Sequence, residues 1–150
     1  MTAKQNLIMK KYILGICFVL VVSFVALAAD VPDAKAIQGN WRPVKAELGG
    51  QPMGDEILKT ISLKMGEGTY EVRVGNSPDK GTVAVDSSTS PKSMTIIGTE
   101  GPNKGKTFPC IYELKGDTLR ICYDLSGAKR PTEFKTSAGT RLYLVTYQRK

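Results

Sequence analysis

The chain contains no histidine among its 150 residues. Because histidine is the usual general base of serine and cysteine catalytic triads and a common ligand of transition metals, both kinds of site are excluded in their ordinary form. A carboxylate pair for glycoside chemistry needs two acids that converge in a cleft. The acidic residues here are expected at outward strand positions or in turns, as are Glu47, Glu71, Glu113, Asp79 and Asp117. The sequence therefore predicts no catalytic residues, no metal site, no cofactor and no enzymatic activity.

Long apolar runs are missing except near the N-terminus, where residues 13–29 follow Lys10 and Lys11. This run closes on Ala26-Leu27-Ala28, the small-x-small pattern of a signal peptidase site. We therefore predict that residues 1–28 are a cleavable signal peptide and that the protein is exported to the periplasm or the cell exterior. Its contact with the membrane would then be transient. The alternative is an uncleaved membrane anchor, for which the run is slightly short of the roughly 20 residues that span a bilayer.

A strong excess of one charge is also missing. Residues 1–28 contain three of the 21 basic residues and none of the 14 acidic ones, which leaves 18 basic against 14 acidic residues, a net charge of +4. These charges are interleaved along the chain, and this favours solubility over the binding of phosphate groups. Gly105-Lys106-Thr107 resembles the end of a phosphate-binding loop, but Glu100 stands where that motif needs its first glycine. We therefore expect no nucleotide and no nucleic-acid partner.

Turn-forming residues recur about every ten positions through residues 29–150, and the segments between them alternate polar and apolar residues. This spacing predicts one all-β domain, a sandwich or a barrel. We expect eight antiparallel strands, with one short helix near residues 55–60. Six strands are expected at residues 41–48, 61–65, 70–74, 82–86, 93–97 and 141–148, and two more on either side of residues 116–117. Val44, Ala46 and Leu48 are expected to share a face, and residues 75–81 and 98–106 are expected to form loops.

The two strands on either side of residues 116–117 have a predictable register. Gly116-Asp117 marks a two-residue hairpin turn, in which glycine supplies the positive φ angle. In that register Glu113 opposes Arg120, an opposite-charge pair that stabilises a sheet by a few tenths of a kcal/mol. Cys110 and Cys122 then lie on opposite faces, so they cannot form the disulfide that export would otherwise favour. We predict two free thiols, Cys110 buried and Cys122 nearer the surface.

Four motifs carry a resemblance to a known family. They are Gln38-Gly39-Asn40-Trp41, Gly101-Pro102-Asn103-Lys104-Gly105, Ile111-Tyr112-Glu113-Leu114 with the Gly116–Cys122 segment after it, and Arg130-Pro131-Thr132-Glu133-Phe134. Together they resemble a planctomycete domain family of unknown function, often found in exported proteins, over residues 38–149. The resemblance implies a small lipocalin-like β-barrel for residues 29–150, and it implies no activity and no catalytic residues. Cys122 matches the family pattern, and Cys110 departs from it.

The opening Gly39-x-Trp41 also resembles the lipocalin signature. In that larger group the tryptophan plugs one end of the barrel, often beneath an arginine from the last strand. The resemblance assigns the arginine to Arg141 or Arg149, through a cation–π contact with the indole. The alternative is that Trp41 is simply a core residue at the start of a strand.

Bulky side chains at alternate strand positions are predicted to fill the interior. The expected set is Trp41, Leu63, Met65, Tyr70, Val72, Met94, Ile96, Tyr112, Leu114, Ile121 and Tyr123. Eight strands enclose packed side chains or one small ligand. We therefore expect a module that binds a small apolar or amphipathic ligand, with Trp41, Tyr70, Tyr112 and Tyr123 as candidate ligand-binding residues. The alternative is a protein–protein interaction or inhibitor-like module at the cell envelope that uses its loops.

Overall fold

The computed structural model describes residues 31–150. The predicted signal peptide, with Cys17, lies outside the described residues. Two short helices and nine strands follow one another along the described chain. They are α1 (Asp33–Ala36), β1 (Gly39–Leu48), β2 (Gln51–Pro52), α2 (Asp55–Leu58), β3 (Ile61–Met65), β4 (Thr69–Val74), β5 (Ser77–Asp86), β6 (Ser93–Glu100), β7 (Thr107–Lys115), β8 (Thr118–Asp124) and β9 (Leu142–Arg149).

The strands form a closed antiparallel barrel. From β3 to β9 each strand pairs with the next one in the chain, and β1 pairs with both β3 and β9 to close the ring. The two-residue strand β2 pairs only with the end of β1, so eight strands make up the wall. This confirms the predicted all-β fold and decides between a barrel and a sandwich. The helix predicted near residues 55–60 is α2, whereas α1 was not predicted.

The predicted hairpin register is confirmed in β7 and β8. Glu113 pairs with Arg120, and Cys110 pairs with Tyr123, one position away from Cys122. Both cysteines are free, as predicted. However, the prediction that Cys122 lies nearer the surface is wrong, because both thiols are fully buried. Residues 126–140, which we call the strap, cover the outer face of β8, and the Cys122 Sγ lies 3.8 Å from the Lys135 carbonyl oxygen.

Three local expectations are also corrected. The pairing of β1 with β9 shifts between Pro43 and Lys45, so Val44 sits in a bulge and is 49% exposed instead of sharing the inner face with Ala46. A bulge adds one residue and so reverses the alternation beyond it. The loop expected at residues 75–81 is a two-residue turn, since β5 already begins at Ser77. The loop expected at residues 98–106 begins only after β6 ends at Glu100.

The interior is packed with the side chains that alternation predicted. Every member of the expected inward set lies in the core cluster or packs against it. The cluster also contains Ile37, Val83, Phe108, Val145 and Tyr147, which were not in that set. In β9, where both faces are apolar in sequence, Tyr143, Val145 and Tyr147 point inward.

Candidate functional site

One end of the barrel, where β1 begins and β9 ends, is closed by Trp41. The indole is fully buried, and its Nε1 donates a hydrogen bond to the Ile37 carbonyl oxygen at 2.8 Å. The Arg149 guanidinium lies 4.2 Å from the ring centroid, a cation–π contact. The same guanidinium donates to the carbonyl oxygens of Ala36 and Gln38 at 2.6 and 2.7 Å. Of the two arginines suggested by the resemblance, Arg149 is therefore the one that covers the tryptophan. We call this end of the barrel the closed end.

A second group of contacts fixes helix α1 across the closed end. The Asp33 carboxylate accepts hydrogen bonds from the Tyr112 hydroxyl and from the Lys92 ammonium, both at 2.7 Å. Burial alone would raise the pKa of Asp33, but these hydrogen bonds and the Lys92 charge hold it below its ordinary value. The charges of Asp33, Lys92 and Arg149 at the closed end thus each have a partner of opposite sign or hydrogen-bonding groups.

The opposite end, which we call the open end, contains a cavity of about 210 Å³. Its walls are mostly apolar, with side chains from β3, β4, β6 and β7 and from the residue after β8. The apolar side chains include Leu63, Met65, Val72, Ile96, Phe108 and Leu125. The polar side chains that line it are Tyr70, Asp79, Asn103, Tyr123, Tyr143 and Tyr147. The cavity is therefore an apolar pocket with a small set of polar groups, the usual character of a small-molecule site.

Asp79 is the one charged residue of this cavity. It lies in β5 at an inward position and is 6% exposed, which overturns the expectation that it occupies a turn or an outward position. Its carboxylate accepts hydrogen bonds from the Tyr70 hydroxyl at 3.0 Å and from the backbone N–H and side-chain amide of Asn103 at 2.9 and 3.0 Å. Asp79 thus joins β4 to the loop that follows β6.

Glycine at position 101 permits that loop to come so close to Asp79. Gly101 has a φ angle of +85°, which side chains disfavour, and a Cβ atom there would lie 2.5 Å from the Pro78 carbonyl oxygen. The Gly101-Pro102-Asn103 motif, which sequence analysis noted only as part of a resemblance, therefore has a local structural reason. It places Asn103 against the cavity.

Three tyrosines form a continuous wall on β8 and β9. The hydroxyls of Tyr123 and Tyr147 are hydrogen-bonded at 3.3 Å, and the rings of Tyr123 and Tyr143 have centroids 5.6 Å apart. Burial raises the pKa of Tyr143 to about 12 and that of Tyr123 and Tyr147 well above the ordinary value. Burial and the Asp79 carboxylate likewise raise the pKa of Tyr70. All four phenols are consequently protonated and uncharged at neutral pH.

The four candidate ligand-binding residues are divided between the two ends. Tyr70 and Tyr123 line the cavity. Trp41 and Tyr112 are buried in the interior at the closed end and do not line it. Sequence analysis missed Asp79 and Asn103, and it left Tyr143 and Tyr147 unassigned because the inward face of β9 was ambiguous.

Hydrogen bonds made by two charged side chains hold the strap against the barrel. Arg130 donates hydrogen bonds to the carbonyl oxygens of Met94 and Cys110, each at 2.6 Å, and to the Thr95 hydroxyl at 3.1 Å. The Asp124 carboxylate accepts the backbone N–H groups of Ser126, Ala128 and Lys129 at 2.9, 3.1 and 2.7 Å. These bonds hold the strap on the outside of the barrel, where it covers Cys122.

Comparisons with known proteins add no family or activity: no family model, no curated protein and no solved structure matches the chain. Within residues 31–150, no group of three or more acidic or cysteine side chains is arranged to hold a metal ion. In the same part of the chain, no helix has the length and apolar character needed to cross a bilayer.

Proposed function

We propose that the protein binds a small, largely apolar molecule in the cavity at the open end. The observation that carries this proposal is the contrast in packing along a single barrel. Protein interiors are close-packed and hold few voids larger than a water molecule. Here the closed end follows that rule, with Trp41 and Tyr112 fully buried. The open end instead leaves a cavity of about 210 Å³ between apolar walls and several phenol hydroxyls.

The volume limits the size of the ligand. An apolar cavity of about 150 Å³ accommodates benzene in a well-studied case. A cavity of about 210 Å³ suits a somewhat larger molecule, such as one ring with a short substituent. It is smaller than the roughly 300–1,000 Å³ of drug-sized ligand sites, so the proposal concerns a compact ligand and not a long-chain lipid.

The hydroxyls on the tyrosine wall provide the polar contacts. In the hydrogen bond between Tyr123 and Tyr147 only one of the two hydroxyl protons is used. The second proton remains to be donated to a ligand oxygen, and the hydroxyl lone pairs can instead accept a ligand N–H. A compact molecule with an apolar body and one polar atom would therefore be held in a defined orientation.

Binding of 2-phenylethanol, followed by two-dimensional NMR, tests this proposal. We expect the largest shift changes at residues that line the cavity, such as Val72 and Phe108. Val72→Phe fills the space and should abolish these changes, whereas Val83→Phe, the same change at an inward position outside the cavity, should not. Shift changes scattered over the surface, or none at all, would contradict the proposal.

Native mass spectrometry of protein from its own source provides an independent test. A retained compound of low mass that is lost in Val72→Phe supports ligand binding. A retained protein instead favours the alternative of an interaction module.

Export through residues 1–28 stays a prediction, and N-terminal sequencing of the accumulated protein tests it.

A further inference from the structure

Asp79 is a buried carboxylate without a cationic partner. Among the described residues, no lysine or arginine nitrogen lies within 4.0 Å of its oxygens, since all the ion pairs involve other acids. Its neighbour Lys80 is directed to Glu71, at 3.9 Å. Lys106 contacts Asp79 only indirectly, because its Nζ lies 3.5 Å from the Oδ1 of Asn103, whose amide nitrogen donates to the Asp79 carboxylate. Buried charges in proteins are normally paired, so this one is exceptional.

The carboxylate also keeps one acceptor position. Two carboxylate oxygens offer about four positions to donors. Three are used, by the Tyr70 hydroxyl and by the two N–H groups of Asn103. Asp79 lines the cavity, so a donor on a ligand could take the fourth position and bring with it the positive charge that the protein does not supply.

The rest of the cavity is compatible with a cation and unfavourable to an anion. Tyrosine and phenylalanine rings line it, namely Tyr70, Phe108, Tyr123, Tyr143 and Tyr147, and their faces attract ammonium groups. No lysine or arginine side chain is among the lining residues, so a ligand carboxylate would meet the Asp79 charge without compensation.

We propose that this cavity selects a small organic cation, in which an ammonium group is attached to a compact apolar body. This rests on the proposed ligand-binding function and narrows it to one chemical class. The ammonium donates to Asp79, the apolar body lies against Leu63, Val72 and Ile96, and the tyrosine rings surround the charge.

Three matched compounds test the proposal by isothermal titration calorimetry at neutral pH and moderate salt. Phenethylamine carries the ammonium, 2-phenylethanol is its neutral counterpart of similar size, and phenylacetate carries the opposite charge. We expect the amine to bind about tenfold more tightly than the alcohol, since an ion pair with Asp79 replaces a hydrogen bond from a neutral hydroxyl. Phenylacetate should bind more weakly than either.

Two variants separate the Asp79 charge from the general charge of the protein. Asp79→Asn removes the cavity charge, and the ratio of amine to alcohol affinity should fall to about one. Asp55→Asn removes the same charge from the exposed first turn of α2, and the ratio should remain as in the unaltered protein. Circular dichroism verifies that each variant is folded. If Asp79→Asn fails to fold, the ratio of amine to alcohol affinity in the unaltered protein decides whether the cavity selects a cation.

The outcomes are distinguishable. Equal binding of amine and alcohol to the unaltered protein overturns the cation proposal and leaves ligand binding intact. A preference for the amine that persists in folded Asp79→Asn also overturns it. Binding of none of the three compounds overturns both this inference and the proposed function.

Discussion

The two ends of the barrel are built from the same alternating strands but are finished in different ways. At the closed end the sole tryptophan, Trp41, fills the interior under Arg149, and Asp33 is paired with Lys92. At the open end the space is left unfilled, and Asp79 has hydrogen bonds but no opposite charge. One end has a filled interior and paired Asp33 and Arg149 charges, whereas the other has an unfilled volume and a carboxylate without a cationic partner.

Under the proposed function, the two ends of the barrel have different roles, one in stability and the other in binding. Tight packing and paired charges at one end stabilise the fold, and this stability allows the other end to remain incomplete. Sites of function are commonly the places where a protein departs from the best local packing. The first two predictions below compare the packing of the two ends, and the next two concern carboxyl contacts and the strap, in order from the largest expected effect to the smallest.

Truncation of an aromatic side chain should cost more at the closed end. Trp41→Ala removes a fully buried ring together with its cation–π contact, and we expect a loss of about 3–5 kcal/mol in the free energy of unfolding. Phe108→Ala should cost less, because that ring already borders empty space. Urea unfolding followed by circular dichroism measures both, since Trp41→Ala lacks a tryptophan signal. Equal losses would contradict the comparison.

Enlargement of a side chain should likewise cost more in the packed region than at the cavity. Val83→Phe inserts atoms into a packed region and should destabilise by about 1–3 kcal/mol. Val72→Phe places the same ring against the cavity and should cost less than about 1 kcal/mol. Thermal unfolding of the two variants makes the comparison direct. A larger cost at Val72 would show that the cavity is not available space.

How far the sequence predicts these features depends on the range of the interactions. The register of β7 and β8 follows from a two-residue turn and local alternation, so it is predictable from residues 110–125. A resemblance, and not spacing, suggests that Trp41 closes the barrel under Arg141 or Arg149, and the structure selects Arg149. Tyr143 and Tyr147 were left open because both faces of β9 are apolar.

The burial of Asp79 could not be predicted from local turns and alternation. It follows Asn76, Ser77 and Pro78, residues typical of turns, which concealed the beginning of β5. Its partner Asn103 lies 24 residues further along the chain, in a loop with no periodic pattern. The strap over Cys122 is likewise irregular, and a cavity depends on the packing of all the strands at once. These features are tertiary and leave no local signal.

Acidification should weaken a contact at each end. Burial alone would raise the pKa of Asp124, but hydrogen bonds from Ser126, Lys129 and Ala128 hold it below its ordinary value, and the pKa of Asp33 is also lowered. Carboxyls with a lowered folded-state pKa contribute stability above the unfolded value of about 3.9, and this contribution is lost as the pH falls through the folded value.

The melting temperature should therefore decline below about pH 3.9, and the decline should be shallower in Asp33→Asn and in Asp124→Asn than in the unaltered protein. Each variant will begin from a lower melting temperature, since it loses part of its hydrogen bonding. Slopes identical to that of the unaltered protein would show that neither carboxyl is linked to folding.

The smallest effect concerns the two thiols. Cys122 is covered only by the strap, whereas Cys110 lies inside the barrel, so release of the strap should expose Cys122 without global unfolding. We expect Arg130→Ala, which removes three hydrogen bonds, to accelerate alkylation of Cys122 more than that of Cys110. Mass spectrometry resolves the two sites. Equal acceleration would indicate that the strap and barrel open together.

The position of Lys150 has a practical consequence. Its backbone N–H donates to the Asn40 carbonyl oxygen at 2.9 Å, so this residue lies beside the beginning of β1, at the closed end and away from the cavity. A short tether attached at Lys150 would thus hold the barrel on a sensor chip or resin with the open end facing the solution.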